Sequence, residues 1–506
     1  MTLGIPLSAE SKDDPATWSS DDLAPPDGVA WDLLVIGGGT AGLVGAKTAA
    51  GFGVSVLLVE RDRIGGDCLW SGCVPSKALL SAAHSAHDAR AATRYGVRAE
   101  GLTVDFAAVM THVREAVATI APVDSPEAMR AAGVSAAHGS AQLTGGHTAT
   151  VDGQPVPFRQ ALIATGATAV VPPVPGLVAA DPLTNESVFA LTQLPKRLLL
   201  LGGGSIGCEL GQAFARLGST VTLLEAAGRL LGREDADAAA VVTQALVDDG
   251  VDVRTGAELV AVRPDGGSFV AELADGSEVG FDSVLVAVGR RPRTASLGLE
   301  YAGVDLDERG LVRVDARLRS TNPHVWAAGD LTAHPQFTHT AGVHGSLAAS
   351  NAVLGLRRRV DVALTPRVTF TQPEIAAVGV GLAQAQALGL TVRTVPHAEV
   401  DRAVAEQQTA GFSRLVLDGK GRVVGATVVG PRAGESLAEA VLAARHGLKA
   451  RDLAASTHAY PTYGDGLWKA ALAQVQEQLA GGLTSRATHA LAAVRRVTLR
   501  AAEAGR

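Results

Sequence analysis

One pattern occurs twice in this 506-residue chain and limits its fold more than any other feature. Residues 31–60 read WDLLVIGGGTAGLVGAKTAAGFGVSVLLVE, and residues 197–225 read RLLLLGGGSIGCELGQAFARLGSTVTLLE. Each copy is an apolar strand, a Gly-x-Gly-x-x-Gly turn, a helix and a second apolar strand that ends in an acid. The first copy carries Gly37, Gly39, Gly42 and Glu60; the second carries Gly202, Gly204, Gly207 and Glu225. Dinucleotide binding gives each of these residues a reason. The first glycine permits the tight turn, the second lets the backbone approach a pyrophosphate, and the third lets helix pack on strand. The helix N-terminus offers free N–H groups and a positive dipole end to phosphates. The closing acid can accept bonds from a ribose hydroxyl. A lone glycine-rich turn is weak evidence. Two copies with the same 18-position interval from last glycine to acid are much stronger, and they predict two bound dinucleotides.

Directly after the first copy comes GGDCLWSGCVPSK, residues 65–77. It holds two of the chain's three cysteines, Cys68 and Cys73. A structural disulfide, half of a metal site and a redox pair all compete. Three cysteines are too few for a disulfide-stapled scaffold. No second ligand pair has zinc-like spacing, so no metal site is expected. Cys208, inside the second glycine-turn helix, reads as a small buried residue. On an ideal helix, Cα atoms five residues apart lie about 8–9 Å from each other, beyond the roughly 7 Å reach of a disulfide. A Cys68–Cys73 bridge therefore needs a broken helix, which Gly65, Gly66 and Gly72 can supply. Two nucleotide sites beside a dithiol suggest an electron relay: nicotinamide to flavin, flavin to the cysteines, and then onward.

Charge and composition exclude other classes. The net charge is −7 and no Lys/Arg cluster dominates the folded part, which argues against nucleic acid or an anionic membrane as partner. Residues 1–28 are polar, lack a signal-peptide pattern and read as a disordered tail. The best apolar stretch, ALIATGATAVVPPVPGLVAA, is interrupted by Gly and Pro, so no membrane span is expected. A cytoplasmic protein follows. Residues 481–506 form a basic segment after a Gly-Gly break, a surface helix or an interaction arm.

The segment GGDCLWSGCVPSK resembles the active-site stretch of the FAD-dependent pyridine nucleotide–disulfide oxidoreductases, which include glutathione reductase, dihydrolipoamide dehydrogenase and mercuric reductase. ALIATGA (161–167), VLVAVGRRP (284–292), VWAAGD (325–330) and TFTQPEIAAVGVG (369–381) resemble further motifs of that family, in the right order. The resemblance implies an α/β fold with two Rossmann-like dinucleotide-binding domains, for FAD and NAD(P), plus an α+β C-terminal dimerisation domain. The implied boundaries are 29–165 with 293–360 for FAD, 166–292 for NAD(P) and 361–480 for the interface. It further implies that Cys68 attacks the substrate and that Cys73 contacts the flavin. Lys77 would pair with Glu209 beside the nicotinamide. Thr165, Gly166, Gly289 and Asp330 would serve cofactor binding, Asp330 at the ribityl chain.

One departure bears on the substrate. Disulfide-reducing members carry a His-Pro-Thr segment with a Glu five residues after the His. Here the segment is STHAYPTYGDG, in which Tyr460 holds the His position and Asp465 the Glu position. His458 is two residues off, and on an extended segment would share a face with Tyr460. A phenol with its usual pKa near 10 is a weak base at neutral pH. Tyrosine here resembles mercuric reductase, yet no cysteine follows Cys208 to handle mercury. The chain therefore resembles mercuric-reductase-like members without the C-terminal mercury-binding cysteines. His84 and His87, on one helix, read as structural rather than as ligands.

Glu225 would repel a 2′-phosphate, which favours NADH, with NADPH as the alternative. The expected enzyme is a homodimer with shared sites that passes electrons to a small disulfide, a thiol adduct or a metal ion. Electron exit from the flavin to quinones or metal ions is one alternative. A flavoprotein subunit of a larger complex is another.

Overall fold

The computed structural model describes residues 23–504. Most of the expected tail, residues 1–22, lies outside them. The remainder of that tail is held in place. The Leu23 carbonyl accepts the Trp31 indole N–H at 3.0 Å, and Asp27 pairs with Arg159 at 2.7 Å.

The chain forms two compact units. The first takes the described residues up to Gly228 together with Asp249–Val362; the second takes Arg229–Asp248 and the residues from Ala363 onward.

The first unit is built on two parallel sheets of matching order. Strands β1 (Trp31–Ile36), β2 (Val56–Glu60), β3 (Ser135–His138), β4 (Ala141–Gly145), β5 (Thr148–Val151) and β6 (Gln154–Ile163) line up as β3-β2-β1-β6-β5-β4. The pairs β2–β3, β1–β2 and β1–β6 are parallel, while β4 and β5 extend the sheet as an antiparallel meander. β7 (Ala167–Ala169) follows. β8 (Arg197–Leu201), β9 (Thr220–Glu225), β10 (Asp252–Thr255) and, after an antiparallel three-stranded insert β11–β13 (Leu259–Asp265, Ser268–Leu273, Glu278–Phe281), β14 (Ser283–Val286) form the parallel order β10-β9-β8-β14. β15 (Arg290–Pro292) returns antiparallel to β7, and β16 (Val325–Ala327) joins β6. Parallel strands covered on both faces read as unbroken apolar runs. The β1 and β8 sequences WDLLVI and RLLLL do so, and Leu33, Leu34, Val35, Leu199 and Leu200 are fully buried.

The helices that matter for the site are α1 (Thr40–Ala50), α2 (Gly66–Trp70), α3 (Cys73–Ala91), α4 (Ser205–Leu217) and α5 (Thr338–Leu354). α1 lies close against α5: a Cβ on Gly345 would stand 2.1 Å from the Ala41 carbonyl oxygen, so only glycine permits the approach.

The second unit is an antiparallel five-stranded sheet, β17 (Arg367–Thr369), β18 (Glu374–Gly379), β19 (Thr391–Pro396), β20 (Phe412–Leu417) and β21 (Val423–Gly430), in the order β17-β18-β21-β20-β19. Helices α6 (Ala433–His446), α7 (Asp465–Ala480) and α8 (Gly482–Ala504) follow. The sequence places residues 229–248 within 166–292, but they pack in this unit. The reason is a buried ion cluster: Arg414, 5% exposed at its side chain, pairs with Asp235 at 3.1 Å and with Asp237, and Arg367 pairs with Glu234 at 2.8 Å.

Candidate active site

The two glycine turns are built alike. Gly37 has φ +106° and Gly202 has φ +104°, the left-handed region that favours glycine. A Cβ on Gly37 would stand 2.5 Å from the Ala164 oxygen, and one on Gly202 would stand 2.6 Å from the Ala287 oxygen. Gly42 and Gly207 each bring a helix so close that a Cβ would stand 1.9 Å from the first glycine's carbonyl oxygen. α1 and α4 begin at Gly39 and Gly204, and no side chain caps either N-terminus. A helix N-terminus without a side-chain cap suits an anion. Glu60 accepts the Gly38 N–H at 2.6 Å and the Asp62 N–H at 2.8 Å. Glu225 accepts the Gly203 and Ala227 N–H groups, both at 2.7 Å. Both acids therefore hold their own loops. A carboxylate oxygen has further lone pairs for a ribose hydroxyl.

The dithiol segment lies over the first turn. The Gly65 N–H donates to the Gly38 oxygen at 2.9 Å, and a Cβ on Gly66 would stand 2.6 Å from Gly39 Cα. The helix then breaks between α2 and α3. Gly72 adopts φ −132° and ψ −115°, and its missing Cβ would stand 2.7 Å from the Asp67 oxygen. Cys68 sits on α2 and Cys73 is the first residue of α3, both as free thiols, with Cys68 half-buried and Cys73 exposed. The Cys73 sulfur lies 3.2 Å from the Thr338 hydroxyl at the start of α5. The Cys68 thiol donates to Cys73, which holds Cys73 below and Cys68 above the usual thiol range; Thr338 and the Lys77 charge lower Cys73 further, and burial raises Cys68. Of the pair, Cys73 carries the thiolate. Its place at a helix N-terminus agrees with this. Lys77, one turn along α3, binds Glu209 on α4 at 2.8 Å. The Glu209 side chain is only 8% exposed, so the cation neutralises a buried carboxylate.

A third group closes the site. The Thr165 hydroxyl donates to the Arg293 carbonyl at 2.7 Å, and the Arg293 N–H returns to the Gly166 oxygen at 2.9 Å. Gly166 has φ +68°, and Gly289 (φ +150°) accepts the Val170 N–H at 3.0 Å. These residues hold the β7–β15 crossover. Burial raises the Asp330 carboxyl above its ordinary range, and Arg290 opposes that shift from 3.5 Å. The buried Nε of Arg290 has no hydrogen-bond partner. An uncapped helix end, glycines in close contact, a half-buried carboxylate and a spare guanidinium donor fit the phosphates and hydroxyls of FAD. Four participants escaped sequence reasoning: Thr338, Asp67, Arg290 and Arg293. Three of them lie inside motifs quoted above or directly beside one, but their partners are more than 220 residues away.

In the second unit the residues expected around the last-domain segment separate. Tyr460 is 70% exposed, and its hydroxyl donates to Asp401 at 2.7 Å, which raises the phenol's pKa. Lys469 also reaches Asp401, at 3.3 Å. His458 does not share the Tyr460 site. Its Nε2 contacts Glu439 on α6 at 2.9 Å, its Nδ1 contacts the Ser456 carbonyl at 3.0 Å, and its ring leans on Trp468. Asp465 is buried and accepts the Thr462 N–H at 3.3 Å, at the start of α7. It organises its own loop and makes no bond to Tyr460. In the first unit His87 pairs with Asp249 at 3.0 Å, and burial lowers His84, as structural histidines would show. Among the described residues no cluster of three or more His, Cys, Asp or Glu side chains forms a metal site.

Two glycine cradles, one of them covered by a dithiol whose thiolate lies next to a Lys–Glu pair, define a flavin-linked thiol oxidoreductase. The sequence matches the pyridine nucleotide-disulphide oxidoreductase family over residues 31–345 and that family's dimerisation domain over residues 365–471. The chain belongs to this family. It is 40% identical to the mercuric reductase of Streptomyces lividans over 453 residues, covering 87% of this chain and 95% of that protein. It is 36% identical to the dihydrolipoyl dehydrogenase of Geobacillus stearothermophilus, covering 86% and 94%. The Cu(II) complex of the HOCl-induced flavoprotein disulfide reductase RclA from Escherichia coli superimposes with a TM-score of 0.79 at 29% identity, covering 87% of this chain and 99% of that one. LpdA from Mycobacterium tuberculosis gives 0.81 at 27% identity, covering 87% and 99%. The protein is thus an FAD-dependent enzyme that uses NAD(P)H, and its dimerisation domain supports a homodimer. No helix among the described residues is long and apolar enough to cross a membrane.

Proposed function

We propose that the enzyme oxidises NADH and delivers two electrons through Cys73 and Cys68 to a thiophilic or redox-active metal ion. The observation that carries this choice is the state of Tyr460. Reduction of a disulfide substrate needs a group that protonates the departing thiolate. Tyr460 donates to Asp401, which holds its proton in place, and His458 is committed to Glu439. Neither group is free to serve as the acid–base partner. A metal ion needs no leaving-group proton; it needs thiolates, and the Cys68–Cys73 pair provides two soft ligands. As the disulfide forms, Cys68 releases its proton to solvent and two electrons pass to one Hg(II), which becomes Hg(0), or to two Cu(II) ions, which become Cu(I), so the balance closes.

FAD, when bound, supplies the two-electron carrier between nicotinamide and dithiol. Gly37, Gly39, Gly42, Glu60 and Asp330 would hold it, and Thr165, Gly166 and Gly289 would shape the crossover beside it. Gly202, Gly204, Gly207 and Glu225 would hold the nicotinamide dinucleotide. Lys77 keeps a positive charge near the Cys73 thiolate while Glu209 fixes its position. Glu225 favours NADH, and Arg229, which could offset it, has its N–H groups on the carbonyls of Leu231, Gly232 and Glu234. Across the two-fold axis of a homodimer, Tyr460 would serve the dithiol of the opposite subunit by orienting the acceptor. A reduced dithiol and an NADH supply suit the cytoplasm.

An acceptor screen on the purified holoenzyme tests the reading, with NADH oxidation followed on Hg(II), Cu(II), quinones and small disulfides. Turnover with a metal ion that disappears in Cys68→Ser is expected. Fast turnover with a small disulfide and none with metal ions would overturn it. A small disulfide remains the second reading, because an open dithiol is present whichever acceptor it meets.

A further inference from the structure

α2 has little to hold it in place. It is five residues long, and Leu69 is its only buried side chain. Yet it carries Cys68, which must approach Cys73 and separate from it at every turnover. Short elements with few buried apolar contacts sit at the low-stability end of a fold. Beyond the close approach of Gly66 to Gly39, polar ties position this one. The Trp70 indole donates to the Ile64 carbonyl at 2.7 Å, and Asn185 donates to the Ser71 carbonyl at 3.3 Å. Both reach the helix at its end or beyond it. The tie beside Cys68 itself is Asp67.

The Asp67 carboxylate accepts Nη2 of Arg290 and, at 3.4 Å, Nη1 of Arg293. Arg290 donates further to the Ala167 carbonyl at 2.7 Å, and its Nε stands 3.5 Å from the Asp330 carboxylate. Arg293 continues to Glu186 at 2.7 Å. The Arg290 side chain is 17% exposed and that of Asp67 is 29% exposed, so these charges are only partly screened. One guanidinium thus spans the residue before Cys68, the β7–β15 crossover and the half-buried Asp330. A planar fork with fixed donors suits such a span, where a flexible ammonium would not.

We propose that Asp67 is a positioning residue. By holding Arg290 it fastens the Cys68 helix to the Asp330 side of the FAD site, so that flavin retention and dithiol geometry depend on one ion pair. The proposal rests on the FAD-dependent reading above. It predicts that the dithiol segment and FAD loosen together. Arg290 Nε, buried without a hydrogen-bond partner, is the donor that Asp67 keeps aimed at the cofactor side.

The experiment compares wild type, Asp67→Asn, Arg290→Gln and the double variant as apo-proteins titrated with FAD, and as reduced holoenzymes scanned for the long-wavelength thiolate–flavin band. Each single variant should bind FAD about tenfold more weakly and lose intensity in that band, as expected for a lost charge-assisted hydrogen bond. The double variant should be no worse than the weaker single one, because the two side chains act as one unit. Asp67→Glu, which keeps the charge, should recover part of both properties. Asp282→Asn, which breaks the exposed Arg197–Asp282 pair, should change neither. Far-UV circular dichroism identifies any variant that has not folded, and the Glu and Asn substitutions then carry the comparison. Unchanged or tighter FAD binding in Asp67→Asn with an unchanged band would overturn the proposal, as would additive losses in the double variant. Failure of the wild-type apo-protein to take FAD would instead overturn the cofactor reading beneath it.

Discussion

The two glycine cradles share one construction and differ in what lies over them. Strand order, positive φ at the first glycine, the 1.9 Å approach at the third and the carboxylate that clasps the loop all repeat. Over the first cradle, however, the dithiol segment folds down: Gly65 bonds to Gly38, and Gly66 leaves no room for a Cβ over Gly39. At Gly204, the position equivalent to Gly39, no described atom outside its own helix and chain neighbours lies within 4 Å of where a Cβ would stand. The lesson concerns residence time. A covered cradle suits a cofactor that stays, and an open one suits a dinucleotide that must leave after each turnover. Under the proposed assignment, the same backbone solution would serve a prosthetic group in one place and a substrate in the other.

Substitution at the third glycine should break this comparison most severely. Gly42→Ala and Gly207→Ala meet the same 1.9 Å clash, yet their outcomes should differ. Gly42→Ala should purify nearly free of FAD and lose several kcal/mol of stability, as overpacking against backbone does. Gly207→Ala should stay yellow while losing flavin reduction by NADH. Flavin absorbance and stopped-flow reduction read the two cases, and equal flavin loss in both would mean that the cradles do not divide the cofactors in this way.

Next in size is the thiol assignment. Cys73→Ser should abolish the long-wavelength band of the reduced enzyme, whereas Cys68→Ser should keep it and lose acceptor turnover. A band that survives in Cys73→Ser would reverse the roles of the two thiols.

A smaller effect falls on the second cradle alone. Glu225→Ala should narrow the preference for NADH over NADPH by about tenfold, since one charge–phosphate repulsion is worth about 1.4 kcal/mol at a partly exposed site. The kcat/KM ratio for the two nucleotides measures it, and Glu225→Arg should reverse it. Wild-type use of NADPH alone would remove the acid from the argument.

The mildest and broadest effect is on pH. Burial lowers His84 and His344 in the first unit and His397 in the second to about 4, from an ordinary value of 6.5. A depressed histidine contributes stability that is present above its unfolded pKa and is lost as pH falls, because the unfolded chain then binds more protons. Thermal melts should therefore be flat above about pH 6.5 and fall toward about pH 4. His397→Gln should flatten the acid limb of the C-terminal unit alone. The neutral amide can still reach Ser413, the partner of His397 Nε2 at 3.1 Å.

The two cradles were legible because most of their requirements are local; only the close approach of Gly37 to Ala164 and of Gly202 to Ala287 involves a distant strand. Gly42 and Gly207 each meet a carbonyl five residues back, Gly37 and Gly202 make the turn by their own positive φ, and Glu60 and Glu225 sit a fixed interval further on. The helix break at the dithiol was legible for the same reason, since Gly72 lies between the two cysteines. The last-domain segment was read less well. Tyr460 was found as a departure, but its partner Asp401 is 59 residues away, and His458 turns to Glu439 rather than toward Tyr460. An extended reading placed His458 and Tyr460 on one face, and the fold of the second unit separated them.

By itself the sequence determined two dinucleotide cradles, a redox-capable thiol pair beside the first, and a terminal unit without a histidine at Tyr460. These follow from backbone sterics and periodicity, which operate over about 30 residues. Tertiary structure alone decided which thiol is the thiolate, because Cys73 owes that state to Cys68, Thr338 and Lys77, and Thr338 lies 265 residues away. It also decided the pairing of Asp67 with Arg290, the retention of the Tyr460 proton by Asp401 and the transfer of residues 229–248 to the second unit. Charges act through space, and the sequence does not contain the distances between them.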